Sequence, residues 1–493
     1  MKFKALLIIL TINILNSNAQ TLKRGLAYGH NSPQDLSVMA PDINWWYNWS
    51  VVPEATVASV YGTYGFEFVP MTWNGSFDET ALRQFLALHT DVKYLLAFNE
   101  PNFIQQANMT PSAVAAQWTR LESIANDYNL KIVGPAVNFC GTCVQENGVT
   151  YTDPIKYLDD FFTSCPNCKV DYIAIHCYMN TVSALQWYVG LFKKYGKPIW
   201  LTEFAGWEQN GNVNNLDDQI NFMIGAVDML ETDPGVFRYS WFIGRGSGIY
   251  AYPYIDLLGS NGKLTALGQV YKSMPVHNEN KVVDIPGVIE AEAYNKMSGI
   301  LIQKTSDNLG FANVGYIESG DWLEYKINVP STSEYDIYFR AATTKNSSLT
   351  VQIDGANNIT QSFTNTNGWQ NWSTFKNKIT LTQGVHTLKI MANTDGFNLN
   401  WFQIGGDPLG LKSMNSNDRD FKVYPNPSGG IIHIQTTEMA EQFFLFQPDG
   451  KQVACLPFSN QLNLSTYPSG NYLLHAVGKD GRIIFSKWVL LSK

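Results

Sequence analysis

A chain of 493 residues is too long for one ordinary core, and its length points to roughly three domains. With 45% hydrophobic and 15% charged residues it reads as globular, not disordered, and a net charge of −8 without a long basic run argues against a nucleic-acid partner. The 14 Trp, 25 Tyr and 27 Phe suit large cores and equally suit the stacking of sugar rings on flat side chains.

The chain opens with Lys2 and Lys4 ahead of an apolar run from Ala5 to Leu15, followed by Ser17-Asn18-Ala19. That is the pattern of a cleaved signal peptide over residues 1–19, and the run is too short for a membrane anchor. No later segment has the length and apolarity of a transmembrane helix, so an exported protein is expected. From Arg24 to Met274 eight short apolar runs alternate with stretches of helical periodicity: Gly25–Gly29, Ile43–Tyr47, Phe66–Trp73, Tyr94–Asn99, Ile132–Val137, Tyr172–Tyr178, Ile199–Phe204 and Val236–Phe242. Eight such units in about 250 residues predict a (β/α)8 TIM barrel over 24–275. A doubly wound sheet is the rival, and no Gly-rich phosphate loop follows the first run. In an exported chain Cys140-x-x-Cys143 and Cys165-x-x-Cys168 favour disulfides over a zinc site, with pairing within or between the motifs left open. Cys177 and Cys455 are expected to be inert thiols.

Beyond Val276–Lys281 the period changes from helical to two. Turn signals such as Asp354-Gly355 and Asn367-Gly368 punctuate short strands, predicting a β-sandwich (jelly-roll) module over 282–405. A polar stretch, Lys412–Asp420, leads to a small all-β domain over 421–493, with strands expected at Gly430–Gln435, Gln442–Phe446, Tyr472–Ala476 and Ile483–Leu490.

The barrel carries the candidate chemistry, because barrel enzymes place working residues at the C-terminal ends of their strands. Leu95-Leu96-Ala97-Phe98-Asn99-Glu100 ends the fourth run and Trp200-Leu201-Thr202-Glu203 the seventh. A carboxylate atop an apolar strand is costly to desolvate unless paired or used. Two of them suit retaining glycoside hydrolysis, with one as nucleophile and one as acid, about 5–5.5 Å apart. Structural salt bridges are the competing account. Asn99 is placed to hydrogen-bond a sugar 2-hydroxyl. His176 and Tyr178 end the sixth run, where either could orient Glu203. Trp241 is expected as the sugar's floor, with the cluster Trp45-Trp46-Tyr47-x-Trp49 and Trp73 placed to form further subsites; of Trp45 and Trp46, Trp46 is the candidate. Consecutive strand residues face opposite sides, so at most one of that pair faces the interior. Two carboxylates and water suffice for this chemistry, so no catalytic cofactor is expected.

The order Asn99-Glu100 then Glu203 resembles clan A of the glycoside hydrolases, in which the first Glu is acid/base and the second nucleophile. With Val133-Gly134-Pro135-Ala136, Ala174-Ile175-His176-x-Tyr178 and Trp200-Leu201-Thr202-Glu203-Phe204, residues 24–275 resemble glycoside hydrolase family 128. That resemblance implies endo-acting cleavage of β-1,3-glucan of the laminarin or curdlan type. Cys177 departs from the expected Trp between His and Tyr, which touches the sugar contacts and not the catalysis. Hydrolysis of mannan or mixed-linkage glucan, and a non-catalytic surface lectin, are the alternatives.

Downstream, Ile289-Glu290-Ala291-Glu292, Val314-Gly315-Tyr316-Ile317, Gly368-Trp369-Gln370-Asn371-Trp372 and Phe397-Asn398-Leu399-Asn400-Trp401 together resemble a family 6 carbohydrate-binding module. The resemblance implies that Tyr316 and Trp369 clamp a sugar and Asn398 hydrogen-bonds it, with Trp372 and Asn400 as rivals for the last two roles. Glu290 and Glu292 resemble ligands of that family's structural calcium. Val423-Tyr424-Pro425-Asn426-Pro427 and the β tail resemble a type IX secretion C-terminal sorting domain. This implies passage across an outer membrane through that machinery to the medium or cell surface, with the tail then removed.

Overall fold

The computed structural model describes residues 23–207, 212–246, 254–260, 262–307 and 310–406. In the tail it describes 421–425, 428–436, 442–446, 452–457, 459–477 and 483–492. The expected signal peptide and the polar link at 412–420 lie outside the described residues, as do Asn426, Pro427 and the side chain of Cys455.

The barrel strands are β1 (Arg24–Ala27), β2 (Trp45–Tyr47), β3 (Glu67–Phe68), β4 (Met71–Thr72), β5 (Tyr94–Ala97) and β6 (Lys131–Val137). After a small hairpin, β7 (Gln145–Glu146) and β8 (Val149–Thr150), come β9 (Tyr172–Cys177), β10 (Ile199–Phe204) and β11 (Val236–Phe242). Hydrogen bonding runs β3-β2-β1-β11-β10-β9-β6-β5-β4, parallel throughout. The two ends of this order, β3 and β4, are halves of one chain segment broken at Val69-Pro70. Proline has no N–H to donate to a ladder, so the third run serves β2 with one half and β5 with the other, and the ring closes. All eight predicted runs are present.

Among the described residues, α1 (Pro33–Met39), α2 (Glu79–Leu88), α3 (Pro111–Asp127), α4 (Pro154–Ser164), α5 (Val182–Phe192) and α6 (Leu216–Thr232) lie between these strands, and α7 (Ala266–Ser273) follows the last of them. Several begin with an acceptor side chain followed by proline: Ser32-Pro33, Thr110-Pro111 and Asp153-Pro154. In each the first residue accepts from the first turn's backbone, and the proline removes an N–H that would have no partner. The barrel floor is filled by Trp45, Tyr94, Trp200 and Phe237, with the Arg238 guanidinium over their rings and paired to Glu67 at 2.6 Å. A Cβ at Gly25 would lie 2.2 Å from Trp45 Cε2, so only glycine admits that indole. Each cysteine pair is bridged within its own motif, Cys140–Cys143 and Cys165–Cys168, while Cys177 is a buried thiol.

Residues 282–404 form two antiparallel-rich sheets. One contains Trp322–Val329, Gly384–Ala392 and Ser347–Ile353; the other contains Ala312–Gly315, Phe397–Ile404 and Ser333–Thr343. Barrel and sandwich share one continuous hydrophobic core. The join is built on α6: Asp228 accepts from Tyr294 at 2.7 Å and pairs with His277 at 2.8 Å, while Asn221 and Asp217 hold Lys304. The C-terminal unit, 407–493, has a small core of its own around Ile432, Phe443, Leu445, Leu474 and Val489. Its four expected strands are present, together with Phe421–Tyr424, Gln452–Pro457 and Gln461–Asn463. Among the described residues no helix is long and apolar enough to cross a membrane.

Candidate active site

A cavity of about 540 Å³ opens at the C-terminal ends of the barrel strands. Its wall includes Asn99, Glu100 and Glu203, with Trp49, Trp73, Tyr178, Trp207 and Phe242 among the rings around them.

The backbone is irregular where both carboxylates enter. The fourth strand stops at Ala97, and Phe98 and Glu100 take left-handed φ values of 46° and 41°. In a regular strand Asn99 and Glu100 would face opposite sides; the two left-handed residues let both line the cavity. Non-glycine residues held there are strained, and such strain gathers at functional sites. On the other side, the register of β10 against β9 slips between Leu201 and Glu203. A bulge at that point re-aims the second carboxylate.

Glu203 is 5% exposed and accepts from three side chains. Tyr47 Oη and Trp49 Nε1 each donate to Oε1 at 2.8 Å, and Tyr178 Oη donates to Oε2. Burial, reinforced by the Glu203 charge, holds the Tyr47 and Tyr178 phenols well above their ordinary pKa, so both remain donors. His176 is fully buried, its Nδ1 lying 3.1 Å from Glu100 Oε1 and 3.4 Å from Glu203 Oε2. Burial alone would lower its pKa; the Glu203 charge and the contact with Glu100 outweigh this and raise it. Asn99 lines the cavity, and its buried Oδ1 has no hydrogen-bond partner among the described residues.

Asn99, Glu100, Tyr178, Glu203 and Trp73 therefore converge, with His176 behind them. Trp46 and Trp241 do not join them. Trp46 points out of the barrel into Tyr61, Phe66 and Phe68, fully buried, because Trp45 takes the inward position. Trp241 is likewise buried against Phe204 and Tyr271, its indole donating to Ile255 O; its neighbour Phe242 faces the cavity instead. Tyr47 and Trp49, expected only as members of an aromatic subsite cluster, instead donate to Glu203. Their signal was their place at the end of the second run, one alternation from the barrel floor.

In the sandwich, Tyr316 and Trp369 are exposed rings, 63% and 50%. Asn398 is buried and donates to Trp369 O at 2.6 Å, and Gly315, beside Tyr316, lies next to the Asn398 amide. The three thus meet at one end of the module. Trp372 is half-buried and bonded to Gln370, and Asn400 sits elsewhere, donating to Asp307. The calcium implied by the resemblance finds a suitable set of oxygens. Glu290 Oε2 and Glu292 Oε2 are buried without a hydrogen-bond partner among the described residues. A Cβ at Gly310 would lie 3.5 Å from Asn400 Oδ1 and 3.6 Å from Glu290 Oε2. Burial, then the Asp307 charge, pushes Glu290 up to about 7; burial, then Glu290, pushes Glu292 well above the carboxylate range. Oxygen donors that lack a counter-charge suit a hard cation. No group of three acidic, His or Cys side chains converges among the described residues, so amide and carbonyl oxygens would complete the shell.

Comparison with known proteins gives three matches in chain order. The model described as glycosyl hydrolase catalytic core matches residues 25–271, carbohydrate binding module (family 6) matches 290–406, and secretion system C-terminal sorting domain matches 422–490. Among curated relatives, alkali-sensitive linkage protein 1 of Schizosaccharomyces pombe is 30% identical over 51% of this chain and 44% of its own length. The clotting factor G alpha subunit of Tachypleus tridentatus is 27% identical over 34% of this chain and 25% of its own. The chain thus spans less than half the length of either relative. A solved glycoside hydrolase family 128 (subgroup II) endo-β-1,3-glucanase from Pseudomonas viridiflava is 40% identical, covering 52% of this chain and 99% of that one, with a TM-score of 0.47.

Proposed function

Because the chain belongs to the glycosyl hydrolase catalytic core family, we propose that it is an exported retaining endo-β-1,3-glucanase in which Glu203 is the nucleophile and Glu100 the acid/base. The observation that carries this reading is the single imidazole reaching both carboxylates. Glu100 Oε1 and Glu203 Oε2 are no farther apart than their two distances to His176 Nδ1 combined, about 6.5 Å. The retaining separation of about 5–5.5 Å lies within that bound.

In the first step a Glu203 oxygen bonds to the anomeric carbon as the glycosidic C–O bond breaks, and Glu100 gives its proton to the departing oxygen. In the second, Glu100 takes a proton from water, whose oxygen displaces Glu203 and regenerates both residues. Three donors on Glu203 fit an ionised, acceptor-only carboxylate and hold it in position. Asn99 on the cavity wall is placed to hydrogen-bond the sugar 2-hydroxyl, and Trp49, Trp73 and Trp207 offer ring faces to the chain. Tyr316, Trp369 and Asn398 bind the same polymer, which raises the local concentration of the catalytic domain on it. Glu290, Glu292 and Asn400 would hold a structural calcium ion, whose charge would compensate their burial. The C-terminal sorting match fits export through the type IX machinery, with release to the medium or retention at the surface and removal of the tail.

The test is reducing-sugar release from β-1,3-glucan, mixed-linkage glucan, β-1,4-glucan and mannan by the wild type and Glu203→Gln. Release from β-1,3-glucan that the substitution abolishes is expected. Activity confined to another polymer would overturn the substrate, and binding without any hydrolysis would make the protein a lectin.

A further inference from the structure

The cavity wall divides between its two carboxylates. Trp49 and Tyr178 bond Glu203, and Trp207 and Phe242 pack on Tyr178. Phe139 belongs to the other side. Its loop is laced to the Glu100 loop: Asn102 Nδ2 donates to Asn138 O at 2.8 Å, Val144 N donates to Asn102 O, and Phe103 bridges Cys143. The sugar that departs is the one Glu100 protonates, so Phe139 faces the aglycone arm of the chain.

The wall does not end there. The Phe139 ring is 40% exposed and lies parallel to Trp187, within 4°, at 6.3 Å between centroids. Trp187 is 55% exposed on α5, while the next residue, Tyr188, is fully buried and packs against Phe139 from behind at 5.5 Å. An amphipathic helix ordinarily shows polar side chains on that outer face. An indole there, continuous with a cavity wall, makes an apolar surface that folding does not use. Helix α5 carries no charged residue, and among the described residues the only charged ones lining the cavity are Glu100 and Glu203. A neutral glycan suits that path.

We propose that Phe139 and Trp187 form a distal aglycone subsite, where two ring faces carry a neutral β-glucan chain out of the catalytic cavity over α5. This rests on the glucanase reading above. Tyr188 behind and the Cys140–Cys143 loop beside it pre-order the Phe139 ring, so little freedom is lost on binding.

The experiment compares the full chain and its variants on β-1,3-linked glucose oligosaccharides of three and of seven units. The readout is the ratio of kcat/KM for the longer to the shorter, which a general folding defect does not move. Trp187→Ala is expected to lower that ratio about tenfold, Phe139→Ala to lower it in the same direction, and Trp187→Phe to restore most of it. Leu88→Ala, at a side chain 83% exposed on α2, is expected to keep the wild-type ratio. A ratio unchanged within twofold in Trp187→Ala, or an equal loss on both substrates, would overturn the subsite while leaving the glucanase reading intact. A wild type inactive on both lengths would overturn that reading and the subsite with it.

Discussion

Two pairs of glutamates among the described residues turn carboxylate oxygens away from solvent, and their surroundings are opposite. Around Glu203 stand Tyr47, Trp49 and Tyr178 as donors, with His176 between it and Glu100. Around Glu290 and Glu292 no described residue donates to the inner oxygens, and both carboxyls are pushed upward by burial. Burial costs a carboxylate hydration in both places. What differs is the supply of compensation: the barrel builds it from its own side chains, and the sandwich has it only if the proposed cation is bound.

The largest effect tests the barrel half of that contrast. Glu203→Gln keeps the shape and removes the proposed nucleophile, and should lower kcat on β-1,3-glucan by about 10⁴-fold in a reducing-sugar assay. A loss of less than tenfold would reduce Glu203 to a structural acceptor.

Next comes the cation. Glu290 is raised from its ordinary 4.5 to about 7, so without metal its contribution to the module's stability is complete below pH 4.5 and is lost as pH rises through 7. That loss is of order 3 kcal/mol. A cation binds the ionised form and removes the loss. Thermal unfolding of the full chain should therefore respond strongly to calcium chelation at pH 8 and weakly at pH 5. An equal response at both would break the comparison.

Tyr178→Phe removes one donor from Glu203 and should lower kcat by roughly 10- to 100-fold with little change in KM, the range of a hydrogen bond to a charged group. Smallest of all, Trp369→Ala should weaken adsorption to insoluble β-1,3-glucan about tenfold, read from the depletion of protein from solution. Unchanged adsorption would remove that ring from the binding face.

The eight barrel runs, the two β regions and the strand-end carboxylates were all legible in the linear sequence. Each is local: a period of two or of about 3.6, a turn residue, an ionisable group ending an apolar run. The order Asn99-Glu100 then Glu203 belongs to the same class. The pairing of each disulfide within its own motif was not legible, since spacing admitted both arrangements.

Only the tertiary structure decided which aromatic rings meet the cavity. Trp45 and Trp46, or Trp241 and Phe242, are alike in composition, and a strand sends neighbours to opposite faces without saying which face is which. Ring closure fixed that choice: Trp45 fills the floor beside Trp200, while Trp46 and Trp241 go outward into the core. Nor could alternation foresee that Asn99 and Glu100 would share a wall, because that required left-handed backbone at Phe98 and Glu100. The donors to Glu203 lie 25 to 156 residues away in the chain. Contacts at that separation are set by the closure of the barrel, which brings β2, β9 and β10 to one rim, and no local pattern encodes them.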